Sequence, residues 1–306
     1  MTPIISICIT AYNHEKFIAQ AINSIISQQT TYSYEIIIGV DPSNDNTLEI
    51  CTKYQLKHPD IIKILINSNK DKIYLYGKAS GRFNFLNNLT QAKGKYIALL
   101  DGDDFWIDNN KIQTQLDFLE KNEHYVVCWH QANKINSEGK YISTFPDKTR
   151  MQSEKIMSNL YVSNFIPTGS TVFRNGLLDF STSWFKYTPY IDWSMHIMLL
   201  NLGKGHFFDI PMSAYRIHEG GIHSQLINTD RGIQLLFKQY CDFFNILKDK
   251  HIPNWGIKQH KLKYFQNLCN LIHKKSTTIK NTIRIKFFLR LLFSYNFLCK
   301  KLFQND

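Results

Sequence analysis

The first half of the chain alternates short apolar runs with amphipathic segments. The apolar runs are rich in isoleucine, valine and leucine, which predicts buried strands, and they lie at 4–10, 34–40, 61–66 and 96–100. Segments with apolar residues three and four positions apart predict helices, at 15–28, 48–56, 83–91 and 111–121. A strand and helix alternation of this kind is typical of a parallel sheet with crossover helices. The pattern therefore predicts an α/β fold.

Beyond residue 125 the pattern is less regular. It predicts a strand at 125–130, one helix near 154–159 among loops and short strands, and a helix at 190–202. A strand at 210–217 then leads into a loop containing Gly220 and Gly221.

From residue 231 onward the chain is basic and has a helical period. Ile233, Leu236, Phe237 and Tyr240 follow the three and four spacing of an amphipathic helix. Residues 231–306 carry 15 lysines and arginines against three aspartates, whereas the first 230 residues carry 21 bases against 22 acids. The net charge of +11 therefore belongs to the last quarter of the chain. This shift predicts a domain at 1–230 and a basic amphipathic helical tail at 231–306.

Two interpretations of the tail stay open. Its uncharged stretch at 291–299 is far shorter than the roughly 20 residues that span a bilayer, which excludes a transmembrane helix there. The tail would make peripheral contact with an anionic membrane surface, or it would be a helical cap with solvated lysines. A nucleic-acid-binding protein, the class that a high pI brings to mind, is disfavoured because the bases do not form a stripe along the predicted sheet.

Composition places the chain among ordinary globular proteins. Apolar residues make up 43% of the 306 residues and charged residues 20%. The six cysteines are scattered without a C-x-x-C pair, which favours free thiols in a reducing compartment. The first ten residues predict a strand without a basic leader, so we expect no signal peptide and a cytoplasmic location.

Three carboxylates follow the apolar run at 96–100. Asp101, Asp103 and Asp104 lie within four residues, where the strand is predicted to end. Ligands in open α/β sheets bind at the carboxyl ends of strands. Like charges this close favour a bound cation such as Mg²⁺ or Mn²⁺ that also holds phosphate oxygens. An acidic surface turn is the other interpretation.

Two further strand ends carry polar groups. Thr10, Tyr12 and Asn13 close the first predicted strand, and Asp41 closes the second. An aromatic ring, an acid for a base N–H or a ribose hydroxyl, and a metal site are what a nucleotide crevice requires. The sequence therefore predicts that these residues share one edge of the sheet.

Six stretches together resemble the glycosyltransferases of family 2, which have the GT-A fold, a Rossmann-like, mostly parallel sheet flanked by helices. They keep the family's order across about residues 4–225, and they are Ile7-Cys8-Ile9-Thr10-Ala11-Tyr12-Asn13, Asp41-Pro42-Ser43-Asn44-Asp45-Asn46-Thr47, Ala92-Lys93-Gly94-Lys95-Tyr96, Asp101-Gly102-Asp103-Asp104-Phe105-Trp106, Ile191-Asp192-Trp193 and Tyr215-Arg216-Ile217-His218-Glu219-Gly220-Gly221.

The resemblance implies a role for each strand end. Tyr12, with Thr10 and Asn13, lies in the stretch that contacts the nucleotide base. Asp41 corresponds to the acid at the base edge, although Val40 replaces a second acid that is frequent in the family. It also implies that Asp101 touches the ribose and the metal shell, and that Asp103 is the direct metal ligand.

The later stretches supply the remaining candidates. The resemblance implies that Asp192 is the catalytic base, whereas an acid in the first turn of a helix also simply favours the helix dipole. Arg216 and His218 would close over the donor phosphates, with His218 also a candidate metal ligand and His223 a poorer one. Arg82 or Lys78 would reach the donor, unless each is an ordinary solvated base.

These features predict an inverting, metal-dependent glycosyltransferase. It would use Mn²⁺ or Mg²⁺ and a nucleotide-diphosphate sugar, a UDP-sugar first, to extend a glycan or lipid-linked acceptor of lipopolysaccharide or capsule. A nucleotidyltransferase of similar topology is the alternative enzyme, but no glycine-rich basic loop follows the first strand. A dehydrogenase is disfavoured because no G-x-G-x-x-G follows any predicted strand.

Overall fold

The computed structural model describes residues 2–148, 151, 156–161 and 163–219. Its helices are Ile18–Ile26 (α1), Thr47–Lys57 (α2), Arg82–Gln91 (α3), Lys111–Lys121 (α4), Ile156–Leu160 (α5), Ser183–Tyr187 (α6) and Ile191–Leu202 (α7). Its strands are Ile5–Ala11 (β1), Tyr34–Val40 (β2), Ile62–Ile66 (β3), Ile73–Leu75 (β4), Lys78–Ser80 (β5), Tyr96–Asp101 (β6), Phe105–Trp106 (β7), Tyr125–Ile135 (β8), Tyr141–Phe145 (β9), Val172–Arg174 (β10) and Lys204–Arg216 (β11). The predicted tail at 231–306, Gly220, Gly221 and His223 lie outside the described residues.

The main sheet is mostly parallel, which confirms the predicted α/β class. Its strands follow the order β3-β2-β1-β6-β10-β8-β11-β7, with β9 added beside β8. β3, β2, β1 and β6 pair in parallel, and β8 pairs in parallel with β11. The short β10 runs antiparallel between β6 and β8, so these two long strands share one direction. The carboxyl ends of β1, β2, β6, β8 and β11 therefore meet at one edge.

Two strands are longer than the pattern predicts. β8 continues to Ile135 instead of ending near 130, and β11 begins at Lys204 instead of near 210. The two strands pair from Lys204 to Arg216 with irregularities between Phe208 and Ser213. Pairing between strands distant in sequence stabilises these polar extensions, which local hydrophobicity cannot indicate.

Helices cover both faces of the sheet. Alternate residues of β1 point to opposite sides, with Ile7 and Ile9 in the core layer that also holds α1 and α4. Cys8 faces the other layer, where Trp129 of β8 and Trp193 of α7 pack. Both faces being buried explains why the central strands read as continuous apolar runs.

Helix α3 is held against the strands by two buried amides. The side chain of Asn84 donates to the Gly39 carbonyl at 2.9 Å, and that of Asn88 donates to the Ile9 carbonyl at 2.8 Å. A Cβ at Gly39 would overlap the Asn84 amide oxygen, so glycine is what allows the helix to approach β2. This contact fixes the start of α3, and with it Arg82, at the edge where the strands end.

The described cysteines confirm the free-thiol expectation for this part of the chain. Cys8, Cys51 and Cys128 are free and buried. Burial raises the pKa of Cys128 to about 12, so its thiol stays protonated at neutral pH. None of the helices within the described ranges is long and apolar enough to cross a bilayer.

Candidate active site

The turn after β6 carries the acids and is shaped by a glycine. Gly102 donates its backbone N–H to the Thr10 carbonyl at 2.9 Å, which joins the turn to the end of β1. A Cβ at Gly102 would come within 2.8 Å of His14 Nδ1 and 3.0 Å of the Thr10 carbonyl oxygen. The absence of a side chain here lets Asp101 and Asp103 flank the end of β1.

Asp103 is held by two imidazoles. Its Oδ2 atom lies 3.0 Å from His218 Nε2 and 3.8 Å from His14 Nε2. Burial alone would raise the pKa of Asp103, but the His218 hydrogen bond and the His14 charge lower it below its ordinary value. Asp103 is therefore an ionised carboxylate at neutral pH. The predicted closeness of Asp103 and His218 is present in the structure.

His14 is a neighbour of Asp103 that the sequence interpretation missed. It follows Asn13, whose φ of 53° turns the chain back toward the strand edge. The backbone N–H of His14 donates to Thr47 Oγ1 at 2.7 Å, and its buried Nδ1 has no hydrogen-bond partner within the described residues. Burial lowers the pKa of His14 against the effect of Asp103. A histidine in the loop after β1 is visible in the sequence, but the sequence does not indicate that Asp103 is its partner.

Asn13 has a structural part in the same loop. Its side-chain oxygen accepts from the backbone N–H of Asn44 at 2.9 Å, and its own N–H donates to Ser43 Oγ at 3.0 Å. These bonds fasten the loop after β1 to the loop after β2. The predicted contact of Asn13 with the nucleotide stays a prediction.

Among the carboxyl groups to which the sequence assigns a role, Asp101 has the largest shift in pKa. Burial and the negative charge of Asp103 raise its pKa to about 7, although Thr10 Oγ1 donates to it at 2.7 Å. The charge of Asp192 raises the same pKa. Asp101 therefore interacts electrostatically with both Asp103 and Asp192. Thr10, Asp101, Asn88 and Thr168 lie close together where β1 and β6 end.

Asp104 supports the site instead of lining it. The side chain is 4% exposed, and its Oδ1 accepts the backbone N–H of Arg216 at 2.8 Å. Burial and the charges of Asp103 and Asp101 raise its pKa well above the ordinary value. Asp104 thus holds β11 beside the turn at 101–104, which we call the acid turn.

The guanidinium of Arg216 donates its hydrogen bonds to protein groups. Its Nε donates to the Asp103 carbonyl at 3.0 Å, Nη2 donates to Gln20 at 2.8 Å and Nη1 donates to the Ser137 carbonyl at 3.3 Å. The guanidinium also lies 4.7 Å from the Phe17 ring centroid. A role in holding the acid turn is therefore visible, and a direct contact with donor phosphates stays a prediction.

Asp192 lies in the first turn of α7, with Asn164 beside it. Asn164 Nδ2 donates to Asp192 Oδ2 at 2.7 Å. Burial raises the pKa of Asp192, while backbone N–H groups of the first turn, Asn164 and the charge of Arg82 act in the opposite direction. The carboxyl is thus oriented by hydrogen bonds and less acidic than a solvated aspartate, which suits a general base.

Arg82 is a buried cation near this base. It is 6% exposed, and its Nη2 donates to the Pro189 carbonyl at 2.9 Å. Its Nε and Nη1 have no hydrogen-bond partner within the described residues. Burial lowers its pKa to about 10 against the charge of Asp192, so it remains cationic. Buried guanidinium N–H groups without a partner favour an anionic ligand, whereas Lys78 is an exposed residue of β5.

β2 lies beside β1 in the sheet and ends at Val40, directly before Asp41. Asp41 is 9% exposed, and Asn67 Nδ2 donates to its Oδ1 at 3.0 Å. Burial raises the pKa of Asp41, and the Asn67 hydrogen bond acts against this. Tyr12 presents a ring that is 48% exposed. A half-exposed ring and a buried carboxylate are suited to stacking a base and accepting one of its N–H groups.

Comparison with known proteins decides the family. The model of the family described as Glycosyl transferase family 2 matches residues 6–179, more than half of the chain. The chain belongs to glycosyltransferase family 2. It is thus a member of a transferase family, as the sequence motifs predicted. The match includes Tyr12, Asp41 and Asp103 and ends before Asp192 and His218, and the roles of all five residues remain predictions.

Two relatives show the extent of the sequence similarity. An uncharacterized protein of Mycobacterium tuberculosis is 30% identical over 227 residues, which cover 74% of this chain and 62% of that protein. The chain thus spans less than two thirds of this relative's length. UDP-Glc:alpha-D-GlcNAc-diphosphoundecaprenol beta-1,3-glucosyltransferase WfaP of Escherichia coli is 29% identical over 260 residues, 84% of this chain and 88% of WfaP.

Solved structures share the GT-A fold with this family 2 chain. S. aureus TarS 1–349 in complex with UDP has a TM-score of 0.60 at 15% identity, covering 92% of this chain and 77% of that one. The mannosyltransferase PcManGT of Pyrobaculum calidifontis, in complex with GDP-Man and Mn²⁺, has a TM-score of 0.53 at 12% identity, covering 100% of this chain and 89% of that one. At these identities the likeness concerns the fold alone.

Proposed function

We propose that the chain transfers a hexosyl or related sugar from a UDP-sugar to a hydroxyl of a glycan or lipid-linked acceptor, with inversion at the anomeric carbon. The observation that carries this proposal is the raised pKa of Asp101, to which burial contributes most and the negative charges of Asp103 and Asp192 add. This interaction supports a single site for the acids predicted to serve the donor and for the predicted base. The family membership favours sugar transfer over nucleotidyl transfer.

The donor would bind along the strand ends. The base would stack on Tyr12 and give its N–H to Asp41, and the ribose would lie at Asp101 beside Thr10. Arg82 would donate its two unpartnered N–H groups to oxygens of the diphosphate. His218 would close this end of the site through its contact with Asp103.

The acid turn fits a divalent cation. Asp103 is an ionised carboxylate with an imidazole at hydrogen-bond distance, and burial together with the negative charge of Asp103 raises the pKa of Asp101. No three histidine, cysteine or acidic side chains form a ligand group within the described ranges. Mg²⁺ and Mn²⁺ sites commonly use one or two protein ligands together with substrate phosphates, so Asp103, His218 and Asp101 are the residues that would hold it. When bound, the cation would neutralise charge on the leaving diphosphate.

Asp192 would act on the acceptor. Its carboxylate takes the proton from the acceptor hydroxyl while that oxygen attacks the anomeric carbon, and the bond to the diphosphate breaks in the same step. The proton ends on Asp192 and the electron pair on the leaving nucleoside diphosphate. Asn164 and the first-turn N–H groups hold the carboxylate in place.

The acceptor is proposed from the relative WfaP, whose name specifies a diphosphoundecaprenol-linked sugar. A lipid-linked acceptor of lipopolysaccharide or capsule synthesis would bring the enzyme to the inner face of the cell membrane. The basic tail at 231–306 would make peripheral contact there.

A nucleotide-sugar screen tests the proposal. Release of UDP or GDP from UDP-Glc, UDP-GlcNAc, UDP-Gal and GDP-Man is measured with Mn²⁺, with Mg²⁺ and with a chelator. We expect metal-dependent UDP release from one UDP-sugar, and loss of this activity in Asp192→Asn. Absence of hydrolysis, transfer and nucleotide binding for all four donors would contradict the proposal.

A further inference from the structure

A lysine without a carboxylate partner lies on β8, beside β9. Its Nζ, that of Lys134, is 4.4 Å from the centroid of the Phe145 ring. Lys134 is half-buried, and burial lowers its pKa without any opposing effect from an acid within the described residues. Its ammonium group forms no ion pair or hydrogen bond in the same part of the chain. A half-buried ammonium that has an aromatic ring but no carboxylate beside it favours an anionic ligand.

The ring of Phe145 is fixed by the pairing of β9 with β8, which is antiparallel. Before it in the chain, Thr144 Oγ1 donates to Asn133 Oδ1 at 2.8 Å. After it, the Pro146 carbonyl accepts from Gln131 Nε2 at 3.3 Å. Side-chain hydrogen bonds to β8 on both sides of Phe145 therefore hold its ring in place against Lys134.

Tyr215 connects this ring with the acids of the site. It is opposite Lys134 in the parallel pairing of β11 with β8, so the two side chains project to the same side of the sheet. The rings of Tyr215 and Phe145 meet edge to face, with their centroids 5.6 Å apart. Burial raises the pKa of the Tyr215 phenol, and the negative charges of the acid turn and of Asp192 raise it further. The phenol is therefore near both the acid turn and the predicted base.

Tyr215, Phe145 and Lys134 thus follow one another in a row that begins near Asp192. This order matches the parts of an acceptor in which a sugar is joined to a lipid through a diphosphate. The attacking hydroxyl would lie at Asp192, and the sugar ring would pack on the two aromatic rings. The diphosphate on the far side of the sugar would then lie at the ammonium group.

We propose that Lys134 binds the diphosphate of an acceptor whose sugar packs on Phe145 and Tyr215, and so makes the enzyme selective for diphosphate-linked sugars over neutral glycans. This inference rests on the proposed function, because it assigns residues that bind the acceptor of the same reaction. The donor diphosphate is proposed to lie at Arg82 and the acid turn, so Lys134 serves a different anion. A neutral glycan would leave the ammonium half-buried without a counter-charge.

Two acceptor analogues, added to the full chain loaded with UDP and Mn²⁺, test the assignment. In the first, α-D-GlcNAc is joined to a hexyl chain through a diphosphate. The second is hexyl α-D-GlcNAc glycoside, which has the same sugar and chain without the phosphates. Lys134→Met keeps the length of the side chain without its charge, and Lys134→Arg keeps the charge. Lys140→Met is the matched control, since it removes an exposed charge from the turn between β8 and β9.

Calorimetry measures the affinity for UDP first and for each analogue afterwards. Wild type should prefer the diphosphate analogue, and Lys134→Met should bind it about tenfold more weakly, because charge-assisted hydrogen bonds are lost. The affinities of Lys134→Met for the neutral glycoside and for UDP should be unchanged. Lys134→Arg should stay within about threefold of wild type, and Lys140→Met should match it. Phe145→Leu should weaken both analogues alike, since both carry the sugar.

Three results would overturn the Lys134 assignment. They are a wild type that does not bind the diphosphate analogue more tightly than the glycoside, a preference that Lys134→Met preserves, and a loss of UDP affinity in Lys134→Met equal to its loss for the analogue. UDP binding by wild type in the same experiments would leave the proposed function intact. A wild type that binds neither UDP nor the analogues would overturn both.

Discussion

His218 Nε2 and Asp103 Oδ2 lie 3.0 Å apart, although 115 positions separate them in the sequence. The contact joins the end of β11 to the turn after β6. Asp104 and Arg216 reinforce it, because the Asp104 carboxylate accepts the Arg216 N–H at 2.8 Å. Arg216 and His218 are therefore in contact with the acids on which donor binding is proposed to depend.

Replacing Asp192 with asparagine should separate transfer from donor binding. Asn164 can still reach the side chain, but an amide does not take the acceptor proton. We expect kcat to fall by about 10²–10⁴-fold, the usual contribution of a general base, with UDP affinity unchanged. Steady-state kinetics and calorimetry measure the two quantities, and the exposed Asp179→Asn serves as the control. Normal turnover in Asp192→Asn would place the base elsewhere.

The raised pKa of Asp101 predicts a pH-dependent effect on stability. Folding raises this pKa to about 7, so its contribution is full below about pH 4, the unfolded pKa, and is lost as the pH rises through 7. Asp101→Asn removes that loss. Without metal or nucleotide, the variant should melt several degrees above wild type at pH 8 and gain much less at pH 4.

The exposed Asp60→Asn is the matched control for this titration, and it should show no such trend. Thermal unfolding followed by circular dichroism gives the melting temperatures. The same difference between Asp101→Asn and wild type at both pH values would show that Asp101 does not ionise in this range.

Gly39→Ala should destabilise the fold and loosen the site together. The added Cβ overlaps the Asn84 amide oxygen, which pushes α3 and Arg82 away from the strand edge. Overpacking of this kind costs about 1–3 kcal/mol in the free energy of unfolding. The double variant Gly39→Ala/Asn84→Ala removes one of two overlapping groups, since the added Cβ also overlaps the Asn88 amide oxygen. Urea denaturation should therefore show a smaller loss than the sum of the two single changes. Additive losses would show that the overlap with Asn84 is not the cause.

The tail prediction concerns the basic residues beyond 230. Arg284→Gln, Lys286→Gln and Arg290→Gln together remove three positive charges, each worth about 1 kcal/mol near an anionic surface. We expect the full chain to co-sediment with phosphatidylglycerol vesicles at low salt and the triple variant to bind far less. Equal sedimentation of both forms would favour the interpretation of the tail as a helical cap.

The sequence was most informative where strands are buried on both faces. β1, β2 and β6 are continuous apolar runs, so their ends and the polar residues after them were predicted from the pattern. The hairpin β4–β5 was missed because its two three-residue strands carry no apolar period.

The sequence also could not predict side-chain contacts between residues that are distant along the chain. A basic residue such as Arg82 is ordinarily solvated, yet packing of α3 buries it near Asp192. The sequence predicts that Arg216 clamps phosphates, but its side-chain hydrogen bonds within the described residues reach Asp103, Gln20 and Ser137. Residue type and local spacing indicated that these side chains matter and left their partners undetermined.

Metal-dependent UDP binding to wild type and Asp103→Asn tests the central claim most directly. Calorimetry is performed with Mn²⁺ and with a chelator, and circular dichroism confirms that the variant is folded. If the acid turn holds a cation for the donor diphosphate, wild type binds UDP tightly only with Mn²⁺, and Asp103→Asn binds it weakly under both conditions. Equal Mn²⁺-dependent affinity in the two proteins would contradict the account.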